Sequence, residues 1–373
     1  MAKKDIQSKE QKNGSEKKHR KNLNKNLFSF FNSFKSELDC VDFIKKVLYP
    51  NGVVSPYTWE RTSRAILESN HLTDYRCTYT NNNFSIFRGT IFSNTKVDLR
   101  TWLFVIYDMA ASQHGLTAPE VAGKYGVTER TAQRMIRLVQ SCMSRAFRNM
   151  KLSGLVDVDE KYYGGDEKNR SYHKKLLNPL RDGKIPVIGI AEKRDIDSES
   201  KETIRSRRVR LVVLDPHNYP GGADGRIIRE LTGKCTTDDC MYFTDSSGMY
   251  DWMDDDNGVL HRNSCHQNGK YSLDGEDSNT IEGYFGWIFP AITGIHRFPS
   301  RIHLQRYLDT MCFLSNTRDM SVYERFMLIL KHTRLNIAGM QVSKKHYWLN
   351  EDGTRKQGRP VELVNKEYRK EVA

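Results

Sequence analysis

The residue types best placed for chemistry lie in residues 155–165, LVDVDEKYYGG. Val156, Val158 and the Tyr162–Tyr163 pair suit a strand, which Gly164–Gly165 ends. Side chains two apart on a strand share a face, so Asp157 and Asp159 point together while Glu160 points away. Carboxylates buried without partners are costly, so such a pair needs water, a cation or a metal. Alone, the stretch reads first as a solvated sheet face.

Two later acids complete a pattern. Residues 241–244 (MYFT) read as a strand ending in Asp245, and SNTIEGYFGWIF reads as a helix capped by Ser278, with Glu282 on it. Between them the chain has 282 − 245 = 37 residues, room for one helix, a short strand at 259–261 and a loop. Three acids on strand, strand and helix suit a two-metal site for in-line phosphodiester chemistry, and Mg²⁺ or Mn²⁺ takes such hard oxygen ligands.

The elements that must position these acids follow in order. After the strand at 155–163 and a polar loop at 166–184 come IPVIGIA (185–191) and VRLVVL (209–214), both strands. A turn at 220–225 leads into a helix at 226–231, and then the Asp245 strand. Three strands, then helix, strand, helix, strand is the order of a ribonuclease-H-like α/β mixed sheet. There the first and fourth strands are neighbours, so Asp159 and Asp245 converge. Asp245 falls at a carboxyl strand end, where such sheets place ligands.

Ahead of this core lies LTAPEVAGKYGVTERTAQRMIRLVQSCMSRAF. Thr117 and Thr128 cap two helices, Gly126 makes the turn, and Val121, Met135, Ile136 and Val139 face inward: helix–turn–helix spacing. Glu129, Arg130, Gln133, Arg134 and Arg137 are left on the outer face of the second helix. Guanidinium groups on a helix that fits the major groove read base edges or grip phosphate. A plain helical hairpin with a solvated basic face is the other reading.

The 373 residues carry 59 Lys/Arg against 46 Asp/Glu, a net +13, which favours a polyanionic partner. Residues 1–26 hold nine basic and three acidic residues and few apolar ones, the composition of a disordered basic arm. A helix is expected over 27–49 and a small β unit over 50–92. Cys77 is the lone thiol there, so no zinc is expected. Another helix is expected at 99–111, and a last one in the tail around Phe326, Ile329 and Leu330. Seven scattered cysteines and the absence of a visible signal segment or membrane span point to a reduced, cytoplasmic setting. His261 and Trp252, Trp287 and Tyr284 are read as structural.

VDEKYYGG (158–165), IPVIGIAEKR (185–194), YFTDSSGMY (242–250), SNTIEGYFGWI (278–288) and HLQRYLD (303–309) together resemble the DDE-type insertion-sequence transposases related to eukaryotic Merlin elements, with their ISXO-like domain. The likeness covers about residues 70–318. YRCTYTNNNFSIFRGTIF (75–92) is similar to the end of that family's zinc ribbon, without its ligands. The resemblance implies Asp159, Asp245 and Glu282 as the catalytic, metal-binding acids, with Asn279 one turn earlier as a further contributor. It also implies two Mg²⁺ or Mn²⁺ ions, double-stranded DNA (terminal inverted repeats and target) as partner, a homodimer on DNA, and association with a prokaryotic nucleoid. The family usually has Lys or Arg seven residues after the third acid. Here Phe289 stands there, followed by Pro290, where the helix is expected to stop. Arg297 is the substitute to consider for binding the element end.

The sequence thus reads as a transposase in five parts. They are the arm (1–26), a helix with a degenerate zinc-ribbon-like module (27–95), a helix–turn–helix region (96–150), a catalytic domain (151–318) and a C-terminal helix with a basic tail (319–373). Two alternatives stay open: a catalytically inactive transposase-derived DNA-binding protein, and a two-metal nuclease of the same fold without strand transfer.

Overall fold

The computed structural model describes residues 30, 32, 34–53, 64–65, 73–76, 82–164, 185–193, 195–196, 203–205, 207–214, 223–245, 247–255, 259–264, 279–297, 299–334, 348–349 and 355–356. The basic arm, the loop at 166–184, Cys77 and Ser278 lie outside these residues. The chain divides into two compact units, one of Met1–Ala111, Val121–Cys142 and Met320–Ala373, the other of Ser112–Glu120 and Met143–Asp319.

In the first unit, α1 (Glu37–Leu48) opens with a capping box in which Ser36 and Asp39 bond each other's backbone N–H. That cap fixes the start of α1 at Glu37; Leu27, where the expected helix begins, lies outside the described residues. Three short antiparallel strands follow, β1 (Arg64–Ala65), β2 (Asp74–Arg76) and β3 (Asn83–Ser85). The apolar helix α2 (Leu99–Ala111) receives an N-terminal cap from α1, the Leu99 N–H donating to Glu37 Oε1 at 2.8 Å. An aromatic cluster forms the core: Phe30 stacks on Tyr107 at 4.7 Å and meets Phe34 and Phe326 edge-on at 5.0 and 4.8 Å.

Helix α3 (Ala118–Tyr125) and helix α4 (Glu129–Ala146) are joined by a three-residue turn in which Gly126 has φ +66°. This left-handed conformation costs an L side chain energy and costs glycine little. The Thr131 N–H donates to Thr128 Oγ1 at 3.3 Å, so Thr128 caps α4. Lys124 and Tyr125 both donate to Asp108 on α2, at 2.7 and 2.6 Å.

The second unit is built on a five-stranded mixed sheet. Strands β4 (Leu155–Tyr163), β5 (Ile185–Glu192) and β8 (Val209–Val213) are antiparallel neighbours. A two-stranded hairpin, β6 (Asp195–Ile196) and β7 (Thr203–Arg205), lies between β5 and β8 in sequence. After α5 (Gly225–Cys235), strand β9 (Met241–Asp245) pairs parallel to β4. After α6 (Asp251–Asp255), strand β10 (Leu260–Ser264) pairs parallel to β9. The order β10–β9–β4–β5–β8 makes the first and fourth long strands neighbours, as the element order predicts.

Helices cover both faces. Val156, Val158, Ile188 and Ile190 pack towards Ile228 and Leu231 of α5. Tyr163, Val187, Ala191 and Leu211 pack towards α7 (Asn279–His296) and α8 (Arg301–Asn316). Edge strand β8 is finished by side-chain amides of α8. Asn316 bonds both the N–H and C=O of Val209, and Gln305 takes the Val213 N–H and donates to Leu211 C=O. An open strand edge is a template for unwanted pairing, and these amides occupy it. The last described helix, α9 (Val322–Lys331), belongs to the first unit and starts with a Ser321–Glu324 capping box.

Helix α7 corrects one expectation: it does not stop at Pro290 but runs on to His296. Proline lacks the N–H for Gly286 and its ring crowds that carbonyl. Both residues lie on the exposed side of α7, so water can satisfy the orphan carbonyl, and residue 286 has no side chain.

Candidate active site

Alternation along β4 sorts its side chains as the sequence requires. Val156 and Val158 are fully buried on the α5 face, while Asp157, Asp159, Lys161 and Tyr163 take the α7 face. Glu160 turns to the α5 side and accepts a hydrogen bond from the Tyr250 hydroxyl at 2.8 Å. That bond ties the turn at Gly248–Tyr250, just after β9, back to β4.

Asp157 pairs with Phe243 in the β4–β9 register, and continuing two residues places Asp245 beside Asp159. Each carboxylate is oriented by a backbone N–H: Glu160 donates to Asp159 Oδ1 at 2.8 Å, and Ser247 donates to Asp245 Oδ1 at 3.1 Å. Across β4 on the other side, Asp159 pairs with Gly189 of β5. A Cβ at Gly189 would lie 2.5 Å from Ile281 Cδ1 and 2.7 Å from Phe285 Cζ. Glycine there lets α7 seat directly on the sheet, and the same turn of α7 carries Glu282.

The electrostatics follow from this convergence. Burial pushes Asp159 up to about 7; the Glu160 N–H opposes the rise, and the charges of Glu160, Asp245 and Glu282 add to it. Burial also raises Glu160, against the hydrogen bond from Tyr250. Asp157 is fully shielded from water and is pushed up to about 6 by burial, opposed by Lys193 and Thr280. Its partner is the Lys193 ammonium, 3.3 Å from Oδ1 and 3.9 Å from the centre of the Phe243 ring. Among the described residues no three His, Cys, Asp or Glu side chains are close enough together to hold a metal ion as they stand. The donor chemistry of Asp159, Asp245 and Glu282 nevertheless suits a hard divalent cation, whose charge would offset the burial and the added repulsion that raise Asp159.

Of the residues singled out from the sequence, Asp245 and Glu282 lie near enough to Asp159 for their charges to add to its rise. Asn279 is the first residue of α7, three before Glu282. Phe289 is buried and stacks on Tyr163 at 5.5 Å, so this position is part of the core. Arg297 ends α7 with φ +57°, fifteen residues and about 22 Å of helix from Glu282. That is too far to share a phosphate with the acids.

His261 bonds Thr244 at 2.8 Å, linking β10 to β9. Tyr284 is buried and Trp252 packs partly buried against the α5-side core, whereas Trp287 is 38% exposed. On α4, Arg130, Gln133 and Arg134 are exposed and Arg137 is half-buried. Gly189, Lys193 and Tyr250 were not singled out beforehand. Only the pairing of β4 with β5 and β9 gives them meaning, although a glycine inside an apolar strand is a signal of close approach.

Two comparisons bear on this site. Residues 151–316 match the family model of the ISXO2-like transposase domain, a span containing Asp159, Asp245 and Glu282. An uncharacterized protein in transposable element ISH50 of Halobacterium salinarum is 24% identical over 296 residues, covering 74% of this chain and 90% of the relative. The matched span coincides with the mixed sheet and the two helices on its acidic face. Over residues 151–316 the chain is therefore similar to insertion-sequence transposases of the ISXO2-like kind.

Proposed function

We propose that this protein binds the ends of its own element and carries out metal-dependent DNA strand cleavage and strand transfer at Asp159, Asp245 and Glu282. The observation that carries the proposal is the electrostatic coupling of Asp159 to Asp245 and Glu282, acids from two parallel strands and a helix, inside a transposase domain. Such an acidic concentration stores repulsion that packing alone would never favour. A cation-dependent reaction gives it a use.

In this reading Asp159, Asp245 and Glu282 would hold two Mg²⁺ or Mn²⁺ ions, with Asn279 as a further contributor on the same helix end. Bound there, the ions would supply Lewis acidity to the attacking and leaving oxygens of an in-line displacement. The chain's own part is positioning. Backbone N–H groups of Glu160 and Ser247 fix the two aspartates, and the Tyr250–Glu160 bond holds the β9 turn against β4. Gly189 keeps the helix bearing Glu282 on the sheet.

Sequence recognition is assigned to α4, where Arg130, Gln133, Arg134 and Arg137 face outward to contact duplex DNA. A homodimer would bring two element ends together. A second reading, a DNA-binding protein without catalysis, draws on the burial of Phe289 where a basic side chain is usual.

The deciding experiment is cleavage of a labelled duplex carrying the element's terminal repeat, with Mg²⁺ or Mn²⁺. Wild type is compared with Asp159→Ala, Asp245→Ala, Glu282→Ala and Asn279→Ala, and binding is measured in parallel. Metal-dependent nicking and joined products, lost in the three acid variants with binding retained, are expected. Binding without cleavage under every metal condition would assign the second reading, and nicking without joined products a nuclease.

A further inference from the structure

Lys161 lies on β4 two residues beyond Asp159 and on the same face, about 7 Å away along the strand. Its side chain is exposed, and its ammonium sits 5.7 Å from the ring centre of Phe285 and 5.9 Å from that of Phe289. Both rings project from α7, and Phe289 is itself stacked on Tyr163. The three aromatic side chains form a rigid seat that restricts a normally mobile lysine, since a cation is held over a ring face by the ring's quadrupole.

Among the described residues Lys161 forms no ion pair with the nearby acids, and the residue is exposed. Asp157 already has a cation of its own in Lys193. A polyanion approaching Asp159, Asp245 and Glu282 meets repulsion from the acids, and Lys161 is an exposed cation held near them on the same face of β4.

We propose that Lys161 binds a backbone phosphate of the DNA strand engaged at the acidic site, with Phe285 and Phe289 as its seat. This rests on the transposase reading above. Lys161 would be a contact residue that positions the strand, and Phe289 would serve as a platform at a place where the family resemblance leads one to expect a charge.

The test compares wild type, Lys161→Met, Lys161→Arg and, as a control, Lys234→Met, whose exposed lysine is paired with Glu230 on α5. Binding to a labelled duplex carrying the terminal repeat is measured over a series of salt concentrations with Ca²⁺ held constant. Each neutralised phosphate contributes about 0.9 to the slope of log affinity against log salt. The expected result is a slope smaller by about 0.9 in Lys161→Met, restored in Lys161→Arg and unchanged in Lys234→Met, with thermal melting unchanged in all.

A Lys161→Met slope equal to wild type overturns the proposal. So does a fall in slope that accompanies a drop in melting temperature and is shared by Lys161→Arg, because that would mean loss of fold and not loss of a contact. If wild type itself neither binds nor cuts the duplex, the transposase reading fails first and takes this inference with it.

Discussion

Replacing Asp159 with Asn should stabilise the metal-free protein, and the gain should depend on pH. In the folded chain Asp159 is raised from 3.8 to about 7, chiefly by burial and then by neighbouring carboxylates. A full shift of that size corresponds to about 4 kcal/mol, at 1.36 kcal/mol per unit. Asp159 is only part-buried, so water screens much of this, and about 2 kcal/mol is the expected penalty.

The sign is fixed by proton linkage. The folded state holds this proton more tightly than the unfolded chain, so the stability Asp159 contributes is complete below about pH 4 and is lost as pH rises through about 7. Asn mimics the protonated acid and its carbonyl can still accept the Glu160 N–H. In EDTA the variant should therefore match wild type near pH 4 and melt about 4–8 °C higher at pH 8, taking 2–4 °C per kcal/mol for a domain of this size. Adding Mn²⁺ at pH 8 should raise the melting temperature of wild type more than that of the variant. Thermal melts at pH 4, 6 and 8 suffice. A variant less stable than wild type at pH 8, or an offset independent of pH, would refute the claim that Asp159 is held under charge strain.

Three further outcomes follow from the same packing. Gly189→Ala should destabilise the domain by about 1–3 kcal/mol through overpacking against Ile281 and Phe285, and cleavage should fall because Glu282 is displaced; an unchanged urea midpoint would contradict the close seating of α7. Lys193→Met should cost about 3–5 kcal/mol at pH 8 by leaving Asp157 buried without its cation. That loss should shrink below pH 6 and be largely recovered in the double variant with Asp157→Asn, as a double-mutant cycle by urea unfolding would show. Asn316→Leu should cost about 1–2 kcal/mol, since both backbone groups of Val209 lose their partner. It should also promote self-association detectable by light scattering, and a monodisperse variant of wild-type stability would argue against edge protection by α8.

Local pattern was enough for much of this protein. Alternation in LVDVDEKYYGG separates Val156 and Val158 from Asp157 and Asp159, because a strand has a period of two whatever surrounds it. The order of strands and helices constrains which strands can be neighbours, so the approach of Asp245 to Asp159 was legible from topology. Likewise Thr128 and Gly126 mark the break between α3 and α4 through chemistry internal to the backbone. Pro290 does not stop α7 because its cost depends on where the orphan carbonyl points, and only the folded helix places Gly286 and Pro290 on the exposed side.

The tertiary structure decided the rest. Lys193 becomes the partner of Asp157, Gly189 the seat of α7, and Phe289 a ring beneath Lys161 only when β5, β9 and α7 close around β4. None of these pairs is near in sequence, and each interaction depends on distance and burial, which local pattern does not contain. The sequence by itself determined which residues could form an acidic site. The fold decided how burial and neighbouring charge act on them, that Lys193 faces Asp157, and that Lys161 sits over the rings of Phe285 and Phe289.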